Sequence, residues 1–449
     1  MSSQTTFTRL HRPLGVRVYN AAARLLHKAG VPVGRLDVES LTAAARKKTG
    51  LDAFGEDGFR EGLQRMLASY NEEAALTPAG RGLMRLNILG LLKNRLMIEN
   101  EIRRDPGIVE QPVRRPLIIA AMPRTGTTLL YNLLSQDPKS RPLLTWEALF
   151  PVPRERERAK DPDPRIRRTA LIIKTLYGLA PHLRTIHPTD PEGPEECSRL
   201  LMNTFVTSYA LLEGRLPRYT EWLTQVPQET LDTAYRHYYR QLQLLQRQRP
   251  PRGHWLLKSP AHVFGVQSLL DVFPDACIVQ IRRDPGEVLA STCSLFATYR
   301  GIFSDDIRTE HIGREVGTLF AEGLRRSAAA RHHAEPGRVL DLEYRDLVAD
   351  PIGTIRGIYD HFGYEYSPSL EQGAKGWCAH NPKDKHGKHH YTLEEFGLDR
   401  AEVARIFEAF DDANGSQAPE RARVAPPHGS RRPSACIARR SDYDETVGP

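Results

Sequence analysis

The chain has 449 residues, 40% hydrophobic and 26% charged, with a net charge of +8. That length suffices for a large core, and no apolar run approaches the roughly 20 residues of a membrane-spanning helix. The first twenty residues, MSSQTTFTRLHRPLGVRVYN, lack the apolar stretch and small-residue cleavage site of a secretory signal.

The five cysteines, Cys197, Cys277, Cys293, Cys378 and Cys436, are scattered and include no C-x-x-C pair. They suggest neither a disulfide framework nor a zinc site, and the default compartment is cytoplasmic. A basic balance fits nucleic acid, an anionic membrane surface or a polyanionic small cofactor. No zinc finger, RNA-binding aromatic signature or basic zipper is present, so nucleic acid is not the expected partner. The dense block RERERAKDPDPRIRR mixes both signs and reads as solvated surface.

Residues 1–110 read as a helical N-terminal region. PLGVRVYNAAARLLHKAG has apolar positions at helical spacing, and DVESLTAAARKKTG opens on an acidic cap and closes at Gly50. From Arg115 short apolar runs alternate with helical stretches. The expected strands are LIIAAM (Leu117–Met122), HWLLKS (His254–Ser259), CIVQIR (Cys277–Arg282) and RVLDLEY (Arg338–Tyr344). This alternation predicts an α/β domain over 111–413 with a largely parallel sheet. A helical insert spans about 155–250. Residues 414–449 are rich in Pro, Ser, Arg and Gly and read as a disordered tail.

In parallel sheets, ligands sit at the carboxyl ends of strands. Arg124, Lys258, Arg283 and Tyr344 all fall there. PRTGTT (Pro123–Thr128) has the layout of a phosphate loop without the G-x-x-x-x-G-K-[ST] pattern. Gly126 permits backbone angles that turn amides inward, and the helix that follows offers free N–H groups. Thr127 and Thr128 add hydroxyls, and Arg124 adds a cationic fork suited to phosphate or sulfate. Further on, Arg283 precedes Asp284–Pro285, a helix start, and Ser291 lies two turns into that helix. This pair suits a second phosphate.

Taken in order, PRTGTTLL, WLLKSPAH, FPDACIVQIRRDPGEVLAS, YRDLVADP and HGKHHYTLEEFGL resemble the sulfotransferases that use 3′-phosphoadenosine 5′-phosphosulfate (PAPS). The bacterial type is the nearest, and the loop is similar to that of protein-tyrosine sulfotransferases. The resemblance covers roughly residues 51–398. It implies an α/β fold with a parallel sheet related to the nucleotide kinases. It also implies a 5′-phosphosulfate loop of Arg124, Thr125, Gly126, Thr127 and Thr128, and a 3′-phosphate site of Arg283 and Ser291. Tyr344 would lie near the adenine, and Lys385 and Lys388 are expected in a late cofactor-contacting loop. No metal is expected.

Sulfuryl transfer requires neutralisation of charge on the leaving oxygen and a base for the acceptor's proton. The resemblance assigns the first task to Arg124 and Lys258. Many relatives carry a histidine base two residues after the lysine; here that position is Pro260, and His262 is a substitute. Glu147 is the preferred base, because protein-tyrosine sulfotransferases have a catalytic glutamate at nearly its distance from the loop arginine. His187, Glu192, Glu195 and Glu196 are candidates for an acceptor pocket. The expected acceptor is a small molecule or glycolipid carrying a hydroxyl or amine. A kinase with a degenerate loop and a non-catalytic nucleotide-binding module are the alternatives.

Overall fold

The structure is a computed structural model and describes residues 11–29, 34–158, 160–382 and 392–415. Five parallel strands form one sheet in the order β2-β3-β1-β4-β5: β1 Leu117–Ile119, β2 Ser140–Pro142, β3 His254–Lys258, β4 Cys277–Arg282 and β5 Val339–Glu343. β1 is central, with Ile119 opposite both Lys258 and Val279. The chain runs from β1 to the β2–β3 side, then crosses to β4 and β5. Connections therefore leave β1 in opposite directions, which opens a crevice at the carboxyl ends of the central strands.

The three inner strands are apolar on both faces because both faces are covered, as parallel sheets require. Ile118, Trp255, Leu257 and Ile278 face helices Gln228–Gln248 and Val266–Val272 through Tyr238, Leu242 and Leu269. Leu117, Ile119, Leu256 and Val279 face Thr127–Leu134, Pro351–Phe362 and Pro368–His380 through Leu130, Ile355, Ile358 and Leu370. β2 was not among the expected strands. It is a three-residue edge, and its Pro142 is tolerated there because one side of an edge strand needs no amide donor.

The N-terminal helices Val38–Thr49, Phe59–Glu72 and Pro78–Arg104 share one core with Pro285–Phe303, Thr309–Arg331 and Arg400–Gly415. They form a collar on the sheet domain rather than a separate core. Caps fix their ends: the Asp37 carboxylate accepts from Ser40 N at 2.7 Å, and Gly50 closes the same helix at φ 71°.

The collar grips helix Pro285–Phe303 at its carboxyl end. Thr77 N and Oγ1 both donate to Phe303 O, at 2.9 and 3.2 Å. A Cβ on Gly80 would lie 1.9 Å from that same oxygen. Gly80→Ala must therefore push the two helices apart. We expect a loss of about 1–3 kcal/mol, the usual cost of overpacking, read by urea unfolding; an unchanged midpoint would contradict this packing.

Candidate active site

Sequence and backbone together shape the loop after β1. Arg124 (φ 65°) and Gly126 (φ 87°) are both left-handed, and Gly126 caps helix Thr127–Leu134. Alternating hands aim successive amides into one concavity, which attracts anions. Thr125 is buried and donates to Met122 O at 2.7 Å, so its hydroxyl braces the turn. Thr127 is buried and Thr128 exposed in the first helical turn. Gly126 is required twice over: by its φ, and because a Cβ there would sit 3.0 Å from the Tyr344 ring.

Tyr344, directly after β5, packs on this loop and also carries the Arg283 guanidinium 4.1 Å above its ring. Arg283 donates to Arg124 O at 2.8 Å and to Glu287 Oε2 at 2.9 Å. Ser291 is buried in the second turn of Pro285–Phe303, whose start is capped by Asp284 accepting from Glu287 N. Its hydroxyl accepts from Arg124 Nε at 2.9 Å. Arg124 also donates to Ile186 O at 3.4 Å. Loop, Arg283, Ser291 and Tyr344 thus form one continuous cluster.

Lys258 ends β3 opposite Ile119 and is buried. Its ammonium lies 5.6 Å from the Tyr131 ring centroid and donates to Glu196 Oε1 at 2.7 Å. Burial alone would raise the Glu196 pKa. Lys258, His187 and a hydrogen bond from Ser198 outweigh burial and hold the carboxyl below its ordinary value. Ser198 in turn bonds Ser259, the residue after Lys258, at 2.6 Å. Cys197 N donates to Lys258 O at 2.9 Å. The segment carrying Glu196 is therefore tied to the end of β3 by backbone and side chain.

The two expected bases have other surroundings. Glu147 is 1% exposed. It takes Arg141 at 2.9 Å, Arg249 at 3.2 and 3.3 Å, and the Leu144 amide at 3.1 Å. Arg141 is paired with Trp255 in β3, three residues before Lys258, and Arg249 leads into that strand. Glu147 thus caps a turn and neutralises two arginines toward the amino end of β3, surroundings unlike those expected of a base open to an acceptor. His262 is fully buried between the Tyr235 and Tyr238 rings, with Tyr235 Oη 3.0 Å from Nδ1. Burial pushes its pKa down to about 3, against a smaller opposing pull from Glu196. His262 is thus held in the aromatic core, surroundings unlike those expected of a base open to an acceptor.

Lys385 and Lys388 lie outside the described residues. Among the described residues no cluster of metal-ligating side chains occurs. His187 bonds Thr189 and stands edge-on to Tyr299. Arg199 stacks on Tyr209 and approaches Glu213 at 3.7 Å. Burial raises the Glu213 carboxyl to about 7, only partly opposed by Arg199 and by hydrogen bonds from Asn87 and Tyr70. Tyr131, Ser198 and Arg199 were not foreseen. The spacing of Lys258 from Glu196 carries no local signal, because 62 residues separate them.

A family model described as "Sulfotransferase family" matches residues 116–368. Omega-hydroxy-beta-dihydromenaquinone-9 sulfotransferase Stf3 of Mycobacterium bovis is 29% identical over 321 residues, 70% of this chain and 79% of its own. The crystal structure of sulfotransferase STF1 from Mycobacterium tuberculosis superposes with TM-score 0.72 at 29% identity, over 84% of this chain and all of that one. STF9 from Mycobacterium avium gives TM-score 0.75 at 28% identity, over 84% and 96%. Motif order, parallel sheet and these matches agree, and the chain belongs to the sulfotransferase family.

Proposed function

We infer that this enzyme moves a sulfuryl group from PAPS to a hydroxyl or amine of a small-molecule or lipid acceptor. The observation that carries this reading is the gathering of Arg124, Lys258 and Arg283 at the carboxyl ends of β1, β3 and β4, with Glu196 on the lysine. A donor with two phosphate-bearing ends needs two cationic sites, and the loop with Arg124 and the Arg283–Ser291 pair supply them. Tyr344 offers a ring face beside the second. The M. bovis relative is named for a hydroxylated menaquinone, which favours a hydroxyl on a lipid-like acceptor.

The donor supplies an activated sulfuryl group. Arg124 and Lys258 neutralise the charge that gathers on the phosphate oxygen as its bond to sulfur breaks. Glu196 receives the acceptor's proton as the new oxygen–sulfur bond forms. Lys258 is the largest attraction keeping Glu196 ionised. A lysine that turns toward the leaving phosphate releases that hold, so the carboxylate becomes more basic as the proton must move.

Arg283→Ala should weaken binding of adenosine 3′,5′-bisphosphate by tenfold or more, since a charge-assisted hydrogen bond contributes about 1.5–3 kcal/mol. Calorimetric titration reads this directly, and unchanged affinity removes the 3′-phosphate role. The two glutamates separate by turnover. Glu147→Ala should cost about 3–5 kcal/mol of folding free energy, as for any buried ion pair losing one partner, with kcat of the folded enzyme close to wild type. Glu196→Gln should keep bisphosphate affinity close to wild type while kcat of the folded enzyme falls by about 100-fold or more. A Glu196→Gln enzyme with normal turnover would take the base role away from Glu196.

A further inference from the structure

Helix Leu14–Lys28 is mounted the wrong way round for a soluble protein. Its protein-facing side carries Asn20 and Ala23, both buried, and Asn20 Oδ1 accepts from Ala79 N at 2.8 Å. At about 100° per residue, Leu14, Val18, Ala21 and Leu25 fall on the opposite side. They face solvent, with Leu14 73%, Val18 60% and Leu25 68% exposed. Arg17, Arg24 and Lys28 run along one flank of this stripe and are exposed; Tyr19 and Leu26 run along the other. An apolar stripe pointing outward beside a row of cations is the pattern of a helix that lies in a bilayer interface.

The surface continues beyond this helix. Tyr19 reaches Gly82 of helix Pro78–Arg104. Leu86 and Lys93 follow Gly82 at helical spacing on that same side, and Leu86 is 66% exposed. Lys93 is half-buried, and among the described residues no carboxylate pairs with it. Burial lowers the Lys93 pKa, and the nearby cations Arg154, Lys48 and Arg168 lower it further. Glu157 pairs with Arg168 at 2.9 Å and Arg154 at 3.8 Å, so one carboxylate offsets two of these cations, and the remaining positive charge attracts an anion. Arg168 belongs to helix Pro164–Leu179, which exposes Leu171 and Ile172 between Arg167 and Lys174. A few residues on, Ile186 O accepts from Arg124 in the active site.

We propose that this face, helix Leu14–Lys28 with the Leu86–Lys93 side of Pro78–Arg104 and the exposed side of Pro164–Leu179, docks the enzyme on an anionic lipid bilayer. Leu14, Val18 and Leu25 enter the headgroup–acyl boundary, the flanking arginines meet lipid phosphates, and Lys93 with its neighbouring cations takes a headgroup. No described helix is long and apolar enough to cross a membrane, so the attachment is to a surface. Charge complementarity favours a bilayer: the apolar stripe is bordered by exposed Arg17, Arg24 and Lys28, of which only Arg24 has a carboxylate partner among the described residues, Asp305 at 3.4 Å. Such a border suits negatively charged headgroups, whereas a second copy of the chain would bring the same cations into opposition. The proposal does not rest on the sulfuryl-transfer reading, because lipid binding is measured without donor or acceptor.

The test is flotation of the full chain with vesicles of equal parts phosphatidylglycerol and phosphatidylcholine, against phosphatidylcholine alone. The protein should float with the anionic vesicles, stay behind with the neutral ones, and dissociate as salt is raised. Val18→Asp with Leu25→Asp, and separately Lys93→Glu, should each lower the bound fraction about tenfold. Their circular dichroism and bisphosphate affinity should match wild type. No flotation with anionic vesicles, or flotation that both variants leave intact, overturns the proposal. A stable dimer in sedimentation that the Val18→Asp/Leu25→Asp variant dissolves also overturns it, by assigning the face to a second copy.

Discussion

Three cations gathered at one end of a sheet repel one another, and the site is built around containing that repulsion. Each has its own internal partner: Arg124 has Ser291 and a carbonyl, Lys258 has Glu196, and Arg283 has Glu287 and the Tyr344 ring. None of these partners lies on the strand that carries the cation. The loop helix, the insert, helix Pro285–Phe303 and the turn after β5 must all be in position before the cations can be held together. Preorganised charge of this kind is what lets a site stabilise a developing anion without reorganising at the moment of reaction.

Helix Pro285–Phe303 is where site and collar meet. Its amino end presents Ser291 to Arg124, and its carboxyl end is clamped by Thr77 and crowded by Gly80. Almost every side chain between Val288 and Phe303 is buried. The helical N-terminal region therefore contributes to the active site indirectly, by fixing the helix that carries one of its hydroxyls. The insert contributes on the other side, bringing Ile186 O to Arg124 and Glu196 to Lys258.

Much of this was legible in the sequence. β1, β3, β4 and β5 stand out because parallel strands buried on both faces must be short apolar runs, and Arg124, Lys258, Arg283 and Tyr344 follow from their positions at the ends of those runs. β2 left no such trace, since Ser-Arg-Pro at an edge has no apolar pattern to read. The proton acceptor was harder. Glu147 sits at a family-like distance from the loop; its partner Arg141 is six residues away, but Arg249 is 102 residues on and leaves no local trace. His262 stands near the expected base position in the motif, but Tyr235 and Tyr238, distant in sequence, enclose it. Partnerships across long sequence separations are set by tertiary packing, which one sequence does not display.

The most direct test of the central claim is a calorimetric comparison of adenosine 3′,5′-bisphosphate with ATP and Mg²⁺ on the wild-type protein. Tight, metal-independent binding of the bisphosphate and much weaker binding of ATP are expected, because the role proposed for Arg283 and Ser291 is to answer a 3′-phosphate that ATP lacks. A preference for ATP with Mg²⁺ would contradict it, and would make PRTGTT a triphosphate loop in an enzyme of another kind.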